Sequence, residues 1–292
     1  MTVLLQTVIS GLVLGGLYGL IALGLTLQYG VSRVMNLAFG EFIIIAAFLS
    51  YFAVTLLNLS PLVAVLLIAP VAFVLSYLLY RGLMPSLRKR APTEAAFEID
   101  TILVTFGVLF ILQGLMSATV GGAYHSYSFL AVPIEIGAIT LPANRVLAAA
   151  ISVTCAVCAY LFLTRTRSGT AIRAVAVNPS AAPLVAIDAG QIAALTFALG
   201  GTLAAVAGVM LSTFLAFNAA MGVLFTMKAL IIVVMGGVGN VLGTLVAGML
   251  LGLAEALTAR FVDPGLTLAM NFALFIAVLL LRPQGLFGGV RA

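Results

Sequence analysis

"LQYGVSRVMNLAFGEF", Leu27 to Phe42, decides the fold. It places Arg33, Asn36 and Glu41 within nine residues, between apolar stretches long enough to cross a bilayer. The whole chain has 292 residues, of which 64% are hydrophobic and only 7% charged. Soluble domains carry about 25% charged residues. A surface so poor in charge has lipid for its solvent, and the chain reads as an all-α polytopic membrane protein.

Charge gaps delimit the spans, each needing about 20 apolar residues. One span covers roughly Leu4–Gln28, and two lie between Glu41 and Arg81, hinged at "NLSP" (Asn58–Pro61). Others follow at Thr101–Thr119, between Arg145 and Arg165, after Asp188, at Val241–Ala259 and at Leu266–Leu281. This predicts about eight transmembrane helices with glycine-interrupted segments, the seam near Ala216–Met235 being the least defined. The first stretch lacks a basic leader and runs past Gln28 without a small-residue cleavage site, so it reads as a span rather than a cleavable signal.

Loop arginines set the orientation. Arg33, Arg81, Arg88, Lys89, Arg90, Arg165, Arg167, Arg173, Arg282 and Arg291 fall on one side, against Arg145 and Arg260 on the other. Basic residues favour the cytoplasmic face, which predicts an external N-terminus and a cytoplasmic C-terminus.

Two interruptions, Gly30–Glu41 and Gly236–Gly243, occupy comparable places in the pattern. Glycine-broken hydrophobic segments in transporters mark the substrate pathway, because they present free backbone groups there. Such backbone is tolerated at membrane depth only where protein or a water-filled cavity surrounds it. Gly236, Gly237 and Gly239 therefore join Arg33, Asn36, Glu41 and Lys228 as candidates for pathway or gating residues. Tight cytoplasmic turns are the alternative. Arg33 and Glu41 are spaced to share a helical face and pair, which equally describes a structural lock on the break. Lys228 reads either as functional or as a lysine snorkelling to an interface. Glu255, near the outer end of its span, reads as reaching for headgroups. Asn36, Gln113, Asn218 and Asn271 suit hydrogen bonds between helices.

Several chemistries are excluded. Cys155 and Cys158 form a C-x-x-C inside an apolar stretch without further cysteines, which reads as packing rather than a metal or redox site. His125 is the sole histidine, in a tyrosine-rich outer loop, so neither a zinc site nor a nucleophile–base pair is available. No Walker phosphate loop occurs. The formal charge of +5 resides in loops and calls for no nucleic acid. No catalytic or metal-ligating residue is assigned.

Thr164–Gln191, "TRTRSGTAIRAVAVNPSAAPLVAIDAGQ", is more than a connector. Ser168–Gly169 opens one short helix. Asn178 caps a second with Pro179 at its first position. Two short amphiphilic helices would form a cytoplasmic protrusion whose apolar faces need either a partner or the membrane surface.

Over essentially its whole length the chain resembles the permease subunits of branched-chain amino-acid ABC importers. The resemblance lies in "GLIALGLTLQYGVSRVMNLAFGEF", "TRSGTAIRAVAVNPSAAPLVAID", "ALTFALGGTLAAVAGVM", "KALIIVVMGGVGNVLGTLVAG" and "LLLRPQGLFG". It implies one permease domain across residues 1–292 in a bacterial inner membrane. The implied partners are a second, similar permease, two ATPase subunits that bind ATP and Mg, and an external binding protein that delivers leucine, isoleucine or valine. It makes about 164–191 the coupling segment, with Ser168, Gly169, Arg173, Ala174, Asn178, Pro179, Ala182 and Ile187 as its candidate contacts. Family members often carry a histidine where this chain has Phe39. Urea, an amide or another small polar metabolite therefore stays an alternative substrate, and a stand-alone channel or secondary transporter is the other class.

Overall fold

The architecture, taken from a computed structural model, is described for residues 2–136 and 139–288. Helix α1 runs from Thr2 to Ser32 and stops at Arg33, whose φ of 55° leaves the helical region. After six residues α2 begins (Phe39–Leu57). Asn58 caps it in the left-handed conformation, and Ser60 with Pro61 opens α3 (Pro61–Arg90). The "NLSP" hinge is thus a helix stop and a helix start in four residues. Helix α4 (Glu94–Val120) starts on Thr93, whose hydroxyl accepts from Ala96 N at 3.1 Å.

A loop follows, clamped to the rest by paired backbone bonds between His125 and Phe217. The Tyr127 hydroxyl hydrogen-bonds with Ser50 and Ser212 at 3.0 and 2.9 Å. Burial pushes the Tyr127 phenol up, against the opposing effect of those two bonds. The loop carries one element that the all-α reading lacks, an antiparallel pair of short strands, β1 (Pro133–Ile136) and β2 (Ile139–Pro142). Their alternating apolar pattern is too short to register beside spans of 20 residues.

The remaining helices are α5 (Ala143–Arg165), α6 (Arg167–Val177), α7 (Ala189–Ser212), α8 (Gly222–Gly236), α9 (Val241–Phe261) and α10 (Thr267–Leu281). Single 3₁₀ turns, Ala219–Met221 and Pro264–Leu266, lead into α8 and α10. Nine of the described helices, each taken with its leading turn, are long and apolar enough to cross a membrane, against about eight expected. The ninth is Ala219–Gly236, the seam segment. Its inclusion supplies the four crossings between the 164–191 loop and the tail that the arginine pattern requires. Of the arginines in that pattern, Arg291 lies outside the described residues.

Helix α1 is the axis of the bundle, packed against α5, α7, α8 and α9. Water cannot drive helices together in lipid, so close backbone packing does that work. A Cβ on Gly15 would strike the backbone of Gly248 and Met249, and one on Gly252 would strike Gly15. Gly24 and Gly200 each leave room for the other's carbonyl. By contrast α3, α4 and α10 turn Leu66, Leu78, Leu103, Ile111 and Leu280 outward, where lipid takes them.

Candidate functional site

The break between α1 and α2 is buried. Val34, Asn36, Ala38, Phe39, Gly40 and Glu41 are all inaccessible. Depth follows from the neighbours: Thr105, which binds the break, lies about 17 Å along the 27-residue α4 at ~1.5 Å per residue. Gly40 abuts Gly222, the first residue of α8.

Non-helical backbone at such depth must find partners within the protein, and here they come from four helices. Leu37 N donates to Thr105 Oγ1, and Thr105 Oγ1 donates to Met35 O, each at 3.1 Å. From α8, Thr226 Oγ1 accepts from Gly40 N at 2.8 Å and reaches Leu37 O at 3.2 Å. Asn36 Oδ1 accepts from Ala38 N, and its Nδ2 donates to Gln28 Oε1, both at 3.1 Å. Gln28 Nε2 continues to Phe197 O of α7 at 3.0 Å. Asn36 is therefore a structural tie in this conformation.

Arg33 and Glu41 do not pair. The chain leaves the helix at Arg33, so the two never share a helical face, and among the described residues both Glu41 oxygens lack a hydrogen-bond partner. The Glu41 carboxyl rests against Gly222, where a Cβ would overlap it. It is an ionisable side chain of the break that the surrounding helices leave without a hydrogen-bond partner.

A second polar cluster joins side chains of α1, α8, α9 and α10 into one unit. Lys228 Nζ of α8 donates to Glu255 Oε1 and Oε2 of α9 at 2.8 and 2.9 Å. It also donates to the Tyr18 hydroxyl of α1 at 2.6 Å. Tyr18 in turn donates to Glu255 Oε1 at 3.1 Å, and Asn271 Nδ2 of α10 approaches Oε2 at 3.4 Å. The two charges that the sequence left reaching separately for an interface pair with each other at 2.8 Å. The sequence signal was available: they are the only charges on two consecutive spans joined by a tight turn, before Arg260 at the rim.

Tyr18 and Glu255 form part of the wall of a cavity of about 570 Å³. Leu14, Leu17, Phe214 and Phe225 line it with apolar surface. Arg145, near the start of α5, and Arg260, near the end of α9, line it as well.

The second interruption is of a different kind from the first. Gly236 to Asn240 make a turn between antiparallel α8 and α9, with Gly237 at φ 97° and Gly239 at φ 81°. The "RPQGLFG" tail closes over it: Leu286 N donates to Met235 O at 2.7 Å, and Asn240 Nδ2 donates to Phe287 O at 3.0 Å. Gly236, Gly237 and Gly239 are thus remote from Glu41, and Lys228 lies two turns up the same helix.

The 164–191 segment folds as one helix, α6, followed by a 3₁₀ turn at Ala182–Val185 instead of a second α-helix. Thr166, not Ser168, caps α6, accepting from Gly169 N at 3.0 Å. Asn178 Oδ1 accepts from Ser180 N and Ala181 N, and Ala186 at φ 59° ends the turn before a helix can grow. Gly169 and Ala182 are buried, packed with Ile172 and Val175 against Leu27, Val31 and Leu163, while Ile187 and Ala174 are half-buried. Pro179 is half-buried; Ser168, Arg173 and Asn178 are exposed. So are Val177, Leu184 and Val185, at 83%, 87% and 67%, which the helical reading of the segment missed. No group of three or more metal-ligating side chains occurs among the described residues.

The chain matches the family described as "Branched-chain amino acid transport system / permease component" over residues 7–279. It is 29% identical to the high-affinity branched-chain amino acid transport system permease protein LivH of Escherichia coli, over 97% of this chain and 95% of that one. It is 30% identical to the corresponding protein BraD of Pseudomonas aeruginosa, with the same coverage. A probable branched-chain amino acid transport permease protein of Methanocaldococcus jannaschii is 26% identical over 96% of this chain and 91% of its own. No solved structure matches.

Proposed function

Because this chain belongs to the branched-chain amino acid transport permease family, we propose that it is the membrane-spanning permease subunit of an ATP-driven importer. Its cargo is leucine, isoleucine, valine or another small neutral amino acid, moved into the cytoplasm. The observation that carries this reading is the full-length match, supported by a buried backbone break at membrane depth. The whole chain is one permease domain.

The chain itself performs no chemistry. A second permease of the same kind completes the pathway, two ATPase subunits bind ATP and Mg²⁺, and an external binding protein delivers the cargo. The N-terminus is external and the C-terminus cytoplasmic, as an odd number of crossings and the arginine pattern support. The ATPase pair docks on the exposed face of the 164–191 segment, where Arg173 adjoins Val177, Leu184 and Val185. Such apolar side chains in water mark an interaction surface. The buried face of the segment, through Ile172 and Val175, transmits the ATPase stroke to α1 and α5.

Closing of the ATPases then rocks the permeases and alternates exposure of the pathway, a rigid-body gating of packed helices. Arg33, Asn36 and Glu41 form the movable break, and the Gly236–Gly239 turn is the point where α8 and α9 pivot. Selectivity resides chiefly in the binding protein.

Affinity purification of the tagged chain in a mild detergent, with mass spectrometry of its companions, tests the assembly. An ATPase pair and a second permease are expected. A chain that comes down alone, under conditions that keep a known ABC complex whole, refutes it.

A further inference from the structure

The cavity bordered by Tyr18 and Glu255 takes no part in the gating above, yet it brings charge, apolar wall and access together. We propose that it is a binding site for a zwitterionic amino acid within a single permease chain, filled by exchange of partners with the Lys228–Glu255 pair. The substrate class rests on the function proposed above; the site rests on the geometry.

Lys228 and Glu255 stand 2.8 Å apart, and each side chain is 15% exposed. Separating such a pair strands two charges, which is costly. A zwitterion removes that difficulty: its ammonium replaces Lys228 on Glu255 while its carboxylate replaces Glu255 on Lys228, and every charge stays paired. A ligand with only one charge leaves one protein charge unmatched, and a neutral solute such as urea can replace neither. Tyr18 is placed to follow the exchange, since its hydroxyl already accepts from Lys228 and donates to Glu255. Leu14, Leu17 and Phe225 offer apolar surface to an aliphatic side chain. Arg145 and Arg260 give the cavity a positive field that draws a carboxylate in. A volume of about 570 Å³ falls within the ~300–1,000 Å³ usual for small-molecule sites.

The test uses the assembled complex in liposomes, with Cys155 and Cys158 replaced by alanine and Ser10→Cys placed in the cavity wall. A small, membrane-impermeant thiol reagent is added from outside. Leucine should slow modification at least fivefold, whereas leucine amide and isocaproate, each carrying one of the two charges, should slow it less than twofold. In the neutral variant Lys228→Met/Glu255→Gln, modification without ligand should be unchanged and protection by leucine lost. The proposal is overturned if leucine fails to protect, if either single-charge analogue protects equally, or if the neutral variant is still protected. Leucine uptake by the same liposomes separates the two ideas. Uptake without protection refutes the cavity and leaves the transport reading intact. Protection without uptake refutes the transport reading and supports the site.

Discussion

Replacing Lys228 with methionine keeps most of the side-chain volume and removes the charge. Glu255 then retains the Tyr18 hydroxyl and Asn271 but loses two bonds to the ammonium at 2.8 and 2.9 Å. Breaking a buried ion pair by deleting one partner costs roughly 3–5 kcal/mol, since it leaves an uncompensated charge. The cavity admits some water to this pair, which argues for the lower end, about 3 kcal/mol. A neutral hydrogen bond between membrane helices would be worth only about 0.6 kcal/mol, so the two accounts differ severalfold. At roughly 2–4 °C per kcal/mol the single variant should melt about 6–12 °C below the parent. Glu255→Gln should lose a similar amount, and Lys228→Met/Glu255→Gln should return to within about 1 kcal/mol of the parent. The coupling between the sites is then several kcal/mol, far outside additivity. Temperature-dependent size-exclusion of a fluorescently tagged chain in detergent measures all four proteins. Additive losses, or single losses below about 1 kcal/mol, would refute the reasoning.

Gly200→Ala pushes a methyl into the Gly24 carbonyl and the Gln28 side chain, so overpacking should cost about 1–3 kcal/mol, whereas Gly16→Ala, with nothing within 4 Å, should stay within about 0.5 kcal/mol in the same melting assay. Glu41→Ala should reduce leucine uptake by the complex at least about tenfold, the effect of ~1.4 kcal/mol on the limiting barrier, while leucine binding to the external protein is unchanged; equal uptake would remove Glu41 from the gate. Leu184→Asp should deplete the ATPases from the purified complex by roughly fivefold or more, the effect of losing about 1 kcal/mol at an interface, without lowering the melting point, because its side chain touches only water in the isolated chain. In a cysteine-free chain, Tyr124→Cys should react with an impermeant thiol reagent from outside the cell and Val177→Cys only after the membrane is opened. The reverse pattern would invert the assigned orientation.

The spans were legible because each is a run of apolar residues bounded by charge, and the arginine pattern already required four crossings after residue 191. What blurred the count was α8: it begins with a 3₁₀ turn on Asn218 and lasts 15 residues, so its hydrophobic run merges with its neighbours. The buried character of the Arg33–Glu41 break was legible only as one of two readings, from polar groups that lipid could not tolerate, a tight cytoplasmic turn being the other. Its partners were not, for Thr105, Thr226 and Phe197 lie 68 to 189 residues away from the residues they bind or along the same network. Spacing by eight misled for Arg33 and Glu41 because it assumes a continuous helix, which the left-handed Arg33 ends. In the 164–191 segment the helix-start signals were real, but the left-handed Ala186 halts the second helix as a single turn. That turn leaves Leu184 and Val185 in water, a consequence that no apolar pattern reports.

The account stands or falls on driven transport. The chain, its companion permease and the two ATPases are reconstituted in liposomes with ATP on the cytoplasmic side and the binding protein with labelled leucine on the other. Leucine should accumulate inside against its gradient, and omission of ATP, the ATPases or the binding protein should abolish accumulation. Uptake by this chain alone, without the ATPases, would contradict the account and make it a self-sufficient channel or secondary transporter.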